Sequence, residues 1–469
     1  MLDRQAAVAW YQRNRARSRQ LFDMVAPGGD RAYYTRPISQ RHPLVFYEGH
    51  LPAFSFNTLV KRALGGPSID ERLELLFARG IDPHELAAGP AEAGPHVAGP
   101  RMGWPSREDV RAFVAEADRR VLDALCRGDL DRPGHPLLDK AEAVFTILEH
   151  EAMHHETLLY MWHRLPLEDK QPPPGYGPRV GGASPPQEWM SVSGGRVTLG
   201  ANRQDLVFGW DNEFPFCTAE VKSFEIERYD VTNAQFLEFV DAGGYAEPRW
   251  WRTEDWNWIQ REAVSHPLFW ERGEGRRGGN GGRGGKDGNG GNETDWYWHG
   301  MFDLIPLPLA WPVYVSQAEA SAYARWKGAR LPTEAEYHRA AFGSPDASSG
   351  DGRRYPWGDE PPSAAHGVFD YLSWDPGPVG SHPAGRSAWG IDDLVGNGWE
   401  WTSTPFAPFP GFRAMASYPE YSADFFDGEH SVMKGASPVT AVELLRPTFR
   451  NWFRQRYPYI YATFRCVRC

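Results

Sequence analysis

A Pro- and Gly-rich stretch over residues 166–188, ending QPPPGYGPRVGGASPPQE, divides this chain into two halves of unlike character and constrains its fold more than any other feature. Proline removes a backbone donor and fixes φ, so a segment this rich in it reads as a linker rather than as helix or central strand. Two domains are also what 469 residues predict. Residues 1–165 show helical periodicity. In residues 189–469 the periodicity is short, Gly and Pro are spread throughout, and 15 of the 20 tryptophans lie beyond Arg249. The expected class is α+β: a helical bundle, then a loop-rich domain held by aromatic packing. In the second half, helices are expected over Thr232–Val240, Ser316–Trp326 and Thr333–Ala341, and short strands over Arg196–Leu199 and Lys222–Arg228. The Gly-rich polar run over 272–292 cannot bury a core and is expected to be disordered. Ala87–Pro100, which repeats AGP, reads as a loop insertion.

Four bundle helices are expected, near residues 4–25 and 50–64, from Val110 to Leu125, and from Leu137 to Trp162. In the third, Val110, Phe113, Val114, Ala117, Val121, Leu122 and Leu125 follow the 3-4 spacing of a core-facing stripe, and Ser106 with Glu108 and Asp109 marks its start. The last helix carries His150 and His154, one turn apart and about 40° around the axis. Two imidazoles on one face is metal-ligand spacing; the ordinary alternative is a pair of polar positions on a bundle helix. Glu156 points elsewhere and is expected to support the site from behind rather than to ligate. Glu151 directly follows His150, as the general base does in two-histidine zinc peptidases, so that reading competes. His155 lies about 100° around from His154 and should face away, and His42 and His135 are not assigned as ligands.

Net charge is −11, which gives no electrostatic footprint for nucleic acid. No apolar run reaches the ~20 residues that span a bilayer, and the start, MLDRQAAVAWYQRNRARSRQ, lacks the pattern of a secretory signal. Cysteines are few, Cys126, Cys217, Cys466 and Cys469, so a disulfide framework is not expected and a reducing cytoplasm fits best. The terminal Cys466–Cys469 pair is a minor candidate for redox or metal chemistry.

Several segments, taken in order, resemble one family. His150-x3-His154-x-Glu156 at the end of a bundle is similar to the iron motif of the ergothioneine-type sulfoxide synthases, which join a DinB-like bundle to a domain of the formylglycine-generating-enzyme fold. Gly195–Gly200 (GRVTLG), Tyr229–Phe236 (YDVTNAQF), Arg330–Tyr337 (RLPTEAEY), Tyr355–Asp359 (YPWGD), Asp393–Trp401 (DLVGNGWEW) and Arg446–Trp452 (RPTFRNW) look like signature segments of that fold.

The resemblance implies a three-histidine iron(II) site in which His50, in FYEGHLPAFSF, joins His150 and His154. It implies O2-dependent bond formation between a chalcogen and the imidazole of hercynine, the trimethylated histidine. Asn451 and Trp452 are implied to bind hercynine, and Tyr418 or Tyr421 to donate a proton. Two positions depart from the sulfur enzymes: Met153 stands where they carry Gln, and Phe453 where they carry an acidic residue. Arg72, Arg79, Arg101 and Arg107 give no clean match to the arginine pair that holds γ-glutamylcysteine. A pocket relieved of positive charge is therefore expected, and a neutral selenosugar donor, as in the selenoneine synthase branch, is favoured over γ-glutamylcysteine or cysteine. Three other readings compete: a formylglycine-generating oxidase, which needs a cysteine pair in the second half; a zinc-dependent DinB-type thiol transferase; and a non-catalytic Trp-rich binding module with a structural metal.

Overall fold

The computed structural model describes residues 2–27, 29–78, 103–178, 180–273, 295–345 and 352–468. The Ala87–Pro100 loop and nearly all of the Gly-rich 272–292 run lie outside the described residues. Arg272 is within them and ends a strand, Trp270–Arg272.

Among its described residues the first half holds six α-helices: α1 Arg4–Phe22, α2 Asp30–Tyr34, α3 Leu44–Ser55, α4 Glu71–Leu76, α5 Arg107–Arg127 and α6 Glu142–Arg164. The long ones, α1, α3, α5 and α6, pack on one another as the bundle. Asp3 caps α1 by accepting from the Ala6 N–H, and Ser106 caps α5 by accepting from that of Asp109. The stripe read in α5 is the buried one: Val110, Phe113, Ala117, Val121 and Leu125 face the core.

Two helices depart from expectation. α3 begins at Leu44, not near residue 50, and all twelve of its residues are buried. A helix covered on every side shows no amphipathic period, so its start cannot be read from a pattern. It carries Pro52 and runs on as a π-helical segment, Phe56–Ala63, in which Leu64 N–H reaches back five residues to Leu59 O at 3.2 Å. α6 begins at Glu142 rather than Leu137, because the N–H groups of Leu137 and Leu138 donate to His135 Nδ1, both at 3.1 Å, and are held in a turn.

In the second half, strands Gly195–Leu199 and Phe224–Glu227 fall where alternation placed them. Helices Asn233–Asp241, Gln317–Trp326 and Glu334–Phe342 each open on a capping box, Thr232 with Gln235, Ser316 with Glu319 and Thr333 with Glu336. The largest sheet runs in the order Asn451–Arg454, His430–Ala436, Gly398–Pro405, Ala462–Thr463. Its first three strands are antiparallel, and Trp452 pairs with Val432. Asn451–Arg454 is thus an edge strand.

One apolar core runs through both halves. Across it, the Tyr160 and Tyr461 rings meet edge to face at 4.9 Å, and Trp399 Nε1–H donates to Glu156 at 2.8 Å. A joint packed this way behaves as a core rather than a hinge, which fixes the edge strand against α6. Among the described residues, no helix is long and apolar enough to cross a membrane.

Candidate metal centre and its cavity

His50 on α3 meets His150 and His154 on α6 inside the bundle, with one ligating nitrogen from each within 4.8 Å of the others. The ring centroids lie 5.1 Å apart for His50 and His150, 5.0 Å for His50 and His154, and 4.3 Å for His150 and His154. His50 Nδ1 lies 2.7 Å from the Phe77 carbonyl, which can only accept, so the proton sits on Nδ1 and the Nε2 lone pair faces inward. That lone pair is 3.2 Å from His154 Nε2. Gly49 permits the arrangement, since a Cβ there would meet the Phe77 ring at 2.5 Å. Both ring nitrogens of His150 are buried with no hydrogen-bond partner. Such orphaned imidazole nitrogens are costly unless something not made of protein satisfies them, and the donor set fits a divalent transition metal.

Burial and the neighbouring imidazoles hold His150 and His154 well below the ordinary histidine range. Burial brings His50 down to about 4, so it is neutral and able to ligate at neutral pH. The Phe54 ring, one turn beyond His50, lies flat against His150 at 3.5 Å and 10°.

The other charged and imidazole groups of α6 face away from this point. Glu151 accepts from Arg15 Nη1 at 2.7 Å and from Ser18 Oγ at 2.6 Å on α1, which removes it as a peptidase base. His155 pairs with the same Ser18 at 2.8 Å, facing away as its helical angle requires. Glu156 points away from the histidine cluster, as its helical angle requires. Its carboxylate accepts from Tyr160, from Trp399 and, at 2.9 Å, from Thr440 Oγ1, and none of these bonds goes to a ligand histidine. It fastens α6 to the second half instead.

A cavity opens on His150 and His154, lined by Met153, Tyr418, Tyr421, Asn451, Trp452 and Phe453, so these sequence-assigned residues do converge. Tyr418 lies with its ring 5.9 Å from that of His150, and Tyr421 donates its hydroxyl to Met153 Sδ at 3.3 Å. Burial pushes the Tyr421 phenol well above its usual range. Trp452 is stacked on Phe406 at 4.3 Å and meets Tyr421 edge to face at 5.0 Å. Asn451 Oδ1 accepts from the Trp452 N–H at 2.9 Å.

The lining also contains Arg41, Phe425, His430 and Arg454, none of which the sequence reading singled out. Two arginines at the cavity correct the expectation of a pocket relieved of positive charge. Arg41 donates to the Tyr457 hydroxyl at 3.2 Å, and that ring stacks on Phe453. Thr157, seven residues after His150, shares the ligand face of α6, and helical spacing could have found it.

Behind the cavity, Glu149 and Glu213 both hold Arg446, with Nη1 to Glu149 at 2.8 Å and Nη2 to Glu213 at 2.6 Å. Trp210 donates to Glu149 at 2.8 Å and stacks on Tyr421 at 3.9 Å. The ion triad thereby sets the ring that sets the tyrosine. Cys466 is buried, with its thiol pushed up by burial, and Cys469 lies outside the described residues.

The family model described as sulfatase-modifying factor enzyme 1-like domain matches residues 181–279 and 303–469, and that of the DinB superfamily matches 11–158. Hercynine oxygenase of Mycolicibacterium smegmatis is 37% identical over 354 residues, 73% of this chain and 74% of that protein. Hercynine oxygenase of Mycolicibacterium thermoresistibile is 35% identical over 82% of each chain. Ergothioneine biosynthesis protein 1 of Neurospora crassa is 25% identical over 92% of this chain, which spans 54% of that longer protein. With both domains matched in order around a buried three-histidine cluster, the chain belongs to the ergothioneine-type sulfoxide synthase family.

Proposed function

We propose that this protein is a non-haem iron(II), O2-dependent oxidoreductase that joins a chalcogen donor to the imidazole ring of hercynine. One observation carries the reading: three buried imidazoles, one with its tautomer pinned and one with both nitrogens orphaned, stand at the end of a cavity walled by aromatic rings. The names of the relatives support hercynine as the acceptor. His50, His150 and His154 would hold the iron, which when bound would supply O2 activation and affinity for a soft donor.

The remaining roles belong to the chain. A quaternary ammonium cannot donate hydrogen bonds and is held by aromatic faces, here those of Trp452, Tyr421 and Phe425. Its carboxylate is drawn to Arg41 and Arg454. Between the two tyrosines we favour Tyr418 as the proton donor, because its ring stands beside those of His150 and Phe54. For the donor we favour a neutral selenosugar, the selenoneine synthase reading, because Met153 and Phe453 stand where the sulfur enzymes carry Gln and an acidic residue. A sulfur donor, γ-glutamylcysteine or cysteine, is the second reading, supported by the name ergothioneine biosynthesis protein 1.

The test is anaerobic reconstitution with iron(II), then mass spectrometry of hercynine offered with a selenosugar, γ-glutamylcysteine or cysteine. An O2-dependent hercynine adduct is expected. Absence of an adduct with every donor removes the proposal, an adduct formed without O2 points to a metal-dependent transferase, and an adduct with sulfur donors alone removes the selenium preference.

A further inference from the structure

Ring contacts lead step by step from the histidine cluster to a further imidazole on the cavity wall. Tyr418 lies 5.9 Å from His150 and 5.8 Å from Tyr421, Tyr421 meets Trp452 at 5.0 Å, and Trp452 lies 5.8 Å from Phe425. Phe425 in turn meets His430 edge to face at 5.2 Å. His430 is buried and lines the cavity. It stands directly opposite Arg454 in the sheet, and alternation along the edge strand puts Arg454 on the same face as Trp452. An imidazole and a guanidinium therefore flank the aromatic faces assigned to the quaternary ammonium.

What His430 can bind follows from the group behind it. Its Nδ1 lies 2.9 Å from Asp427 Oδ1, which also accepts from the Glu429 N–H at 2.8 Å. Burial pulls the Asp427 carboxyl up, but the bonds from His430 and Glu429 outweigh it and hold the carboxyl below its ordinary range. Asp427 is therefore ionised, and His430 Nδ1 carries a proton. Of the other charged groups on the elements around His430, Arg454 comes from the strand opposite and Asp424 from the turn that carries Phe425. Glu429, in the turn before His430, is directed to Arg456 at 3.6 Å, and Arg41 reaches the cavity from the first half. With a carboxylate on Nδ1, the ring donates from Nε2 only as the imidazolium, and a second carboxylate on that side stabilises this form. In hercynine the carboxylate and the trimethylammonium sit on one carbon, so a group that takes the first stands next to the rings that hold the second. We infer that His430, oriented by Asp427, binds the hercynine carboxylate beside Arg454 and makes the cavity select a carboxylate-bearing acceptor. The inference rests on the proposed function for the identity of the ligand, and on the cavity wall for the residue.

The experiment is calorimetric titration of the metal-free full-length chain with hercynine and with its decarboxylated counterpart, imidazolylethyl-trimethylammonium. Both ligands carry the same ring and the same quaternary ammonium, so the ratio of their affinities isolates the carboxylate. The wild type at about pH 6.5 is expected to favour hercynine roughly tenfold or more, the worth of a charged hydrogen bond. That preference should shrink as pH rises toward about 8.5 and the imidazolium is lost. His430→Leu should weaken hercynine binding about five- to tenfold, keep the decarboxylated ligand within about twofold, and leave a ratio that no longer follows pH. Asp427→Asn keeps the imidazole and should move the fall in preference to lower pH. Retained binding of the decarboxylated ligand shows that each variant is folded. Equal affinity of the wild type for the two ligands overturns the inference, as does an unchanged ratio in His430→Leu, an equal loss for both ligands, or a pH profile that Asp427→Asn leaves in place. No hercynine binding by the wild type removes the acceptor named in the proposed function as well, whereas failure in the variants alone leaves that reading standing.

Discussion

Tyr421 donates its phenolic hydrogen to the sulfur of Met153, the residue directly before His154 of the histidine cluster, over 3.3 Å. The bond joins the second half of the chain to α6 at the cavity wall, and Trp210 stacked on Tyr421 keeps the ring from turning. Met153→Leu preserves volume and removes the acceptor, so folding stability should change by under about 1.5 kcal/mol. With Tyr421 released, kcat/KM for hercynine should fall about three- to tenfold, the worth of a modest hydrogen bond. Steady-state kinetics with hercynine varied, alongside urea unfolding, checks both parts.

Tyr418 and Tyr421 are three residues apart, yet the structure sets them differently, Tyr418 beside His150 and Tyr421 against Met153. Tyr418→Phe should lower kcat by about a hundredfold or more, the scale of a lost general acid, and should alter the solvent isotope effect. Tyr421→Phe should act mainly on KM for hercynine. If the two variants exchange these behaviours, the proton donor has been misassigned.

His150 has both ring nitrogens buried without partners. A catalytic metal site and a structural one diverge here. His150→Leu should abolish iron binding, read as iron per chain by mass spectrometry, while leaving the melting temperature of the metal-free chain unchanged or higher, because an orphaned polar ring is replaced by an apolar one. A metal that merely staples the bundle predicts instead a large fall in the melting temperature of the metal-loaded protein and no loss of turnover.

What the sequence revealed follows from which contacts are local. His150 and His154 were legible because one helical turn fixes their relation whatever surrounds them. His50 has no periodic partner and could be placed only through its motif; the reason it can ligate, the Phe77 carbonyl on Nδ1, lies twenty-seven residues away. Helix α3 hid its start because burial on every side erases amphipathic alternation. Arg41 and Arg454 were missed because a loop and an edge strand reach the cavity by tertiary folding alone. The partners of Glu156 were illegible for a related reason: helical angle shows where a carboxylate points, and only the packed second half shows that Trp399 and Thr440 stand there.

Glu156 accepts from Trp399 and Thr440, so its substitution should register in stability and not in metal content. Glu156→Gln retains an acceptor oxygen and should cost about 1–2 kcal/mol, whereas Glu156→Ala leaves several buried donors unsatisfied and should cost about 3 kcal/mol or more. Iron per folded chain should match wild type in both. A loss of iron from Glu156→Gln at unchanged stability would restore the carboxylate to the metal site.

Asp211 anchors the segment that carries both tyrosines, accepting from Ser422 Oγ at 2.5 Å and from the Met415 N–H at 3.4 Å. Burial raises its carboxyl from the ordinary 3.8 to about 6, against the opposing hydrogen bonds. Between those two values the folded chain holds a proton that the unfolded chain has lost, so this group destabilises the fold above about pH 6 and the cost is relieved as pH falls toward 4. Asp211→Asn cannot titrate, and comparing the two proteins cancels every other ionisable group they share. The stability of wild type relative to Asp211→Asn should therefore rise by about 1–2 kcal/mol on going from pH 7 to pH 5, measured by urea unfolding at each pH. A difference that stays flat, or that moves the other way, would mean that the carboxyl is ionised in the fold across this range and that the Ser422 bond outweighs burial.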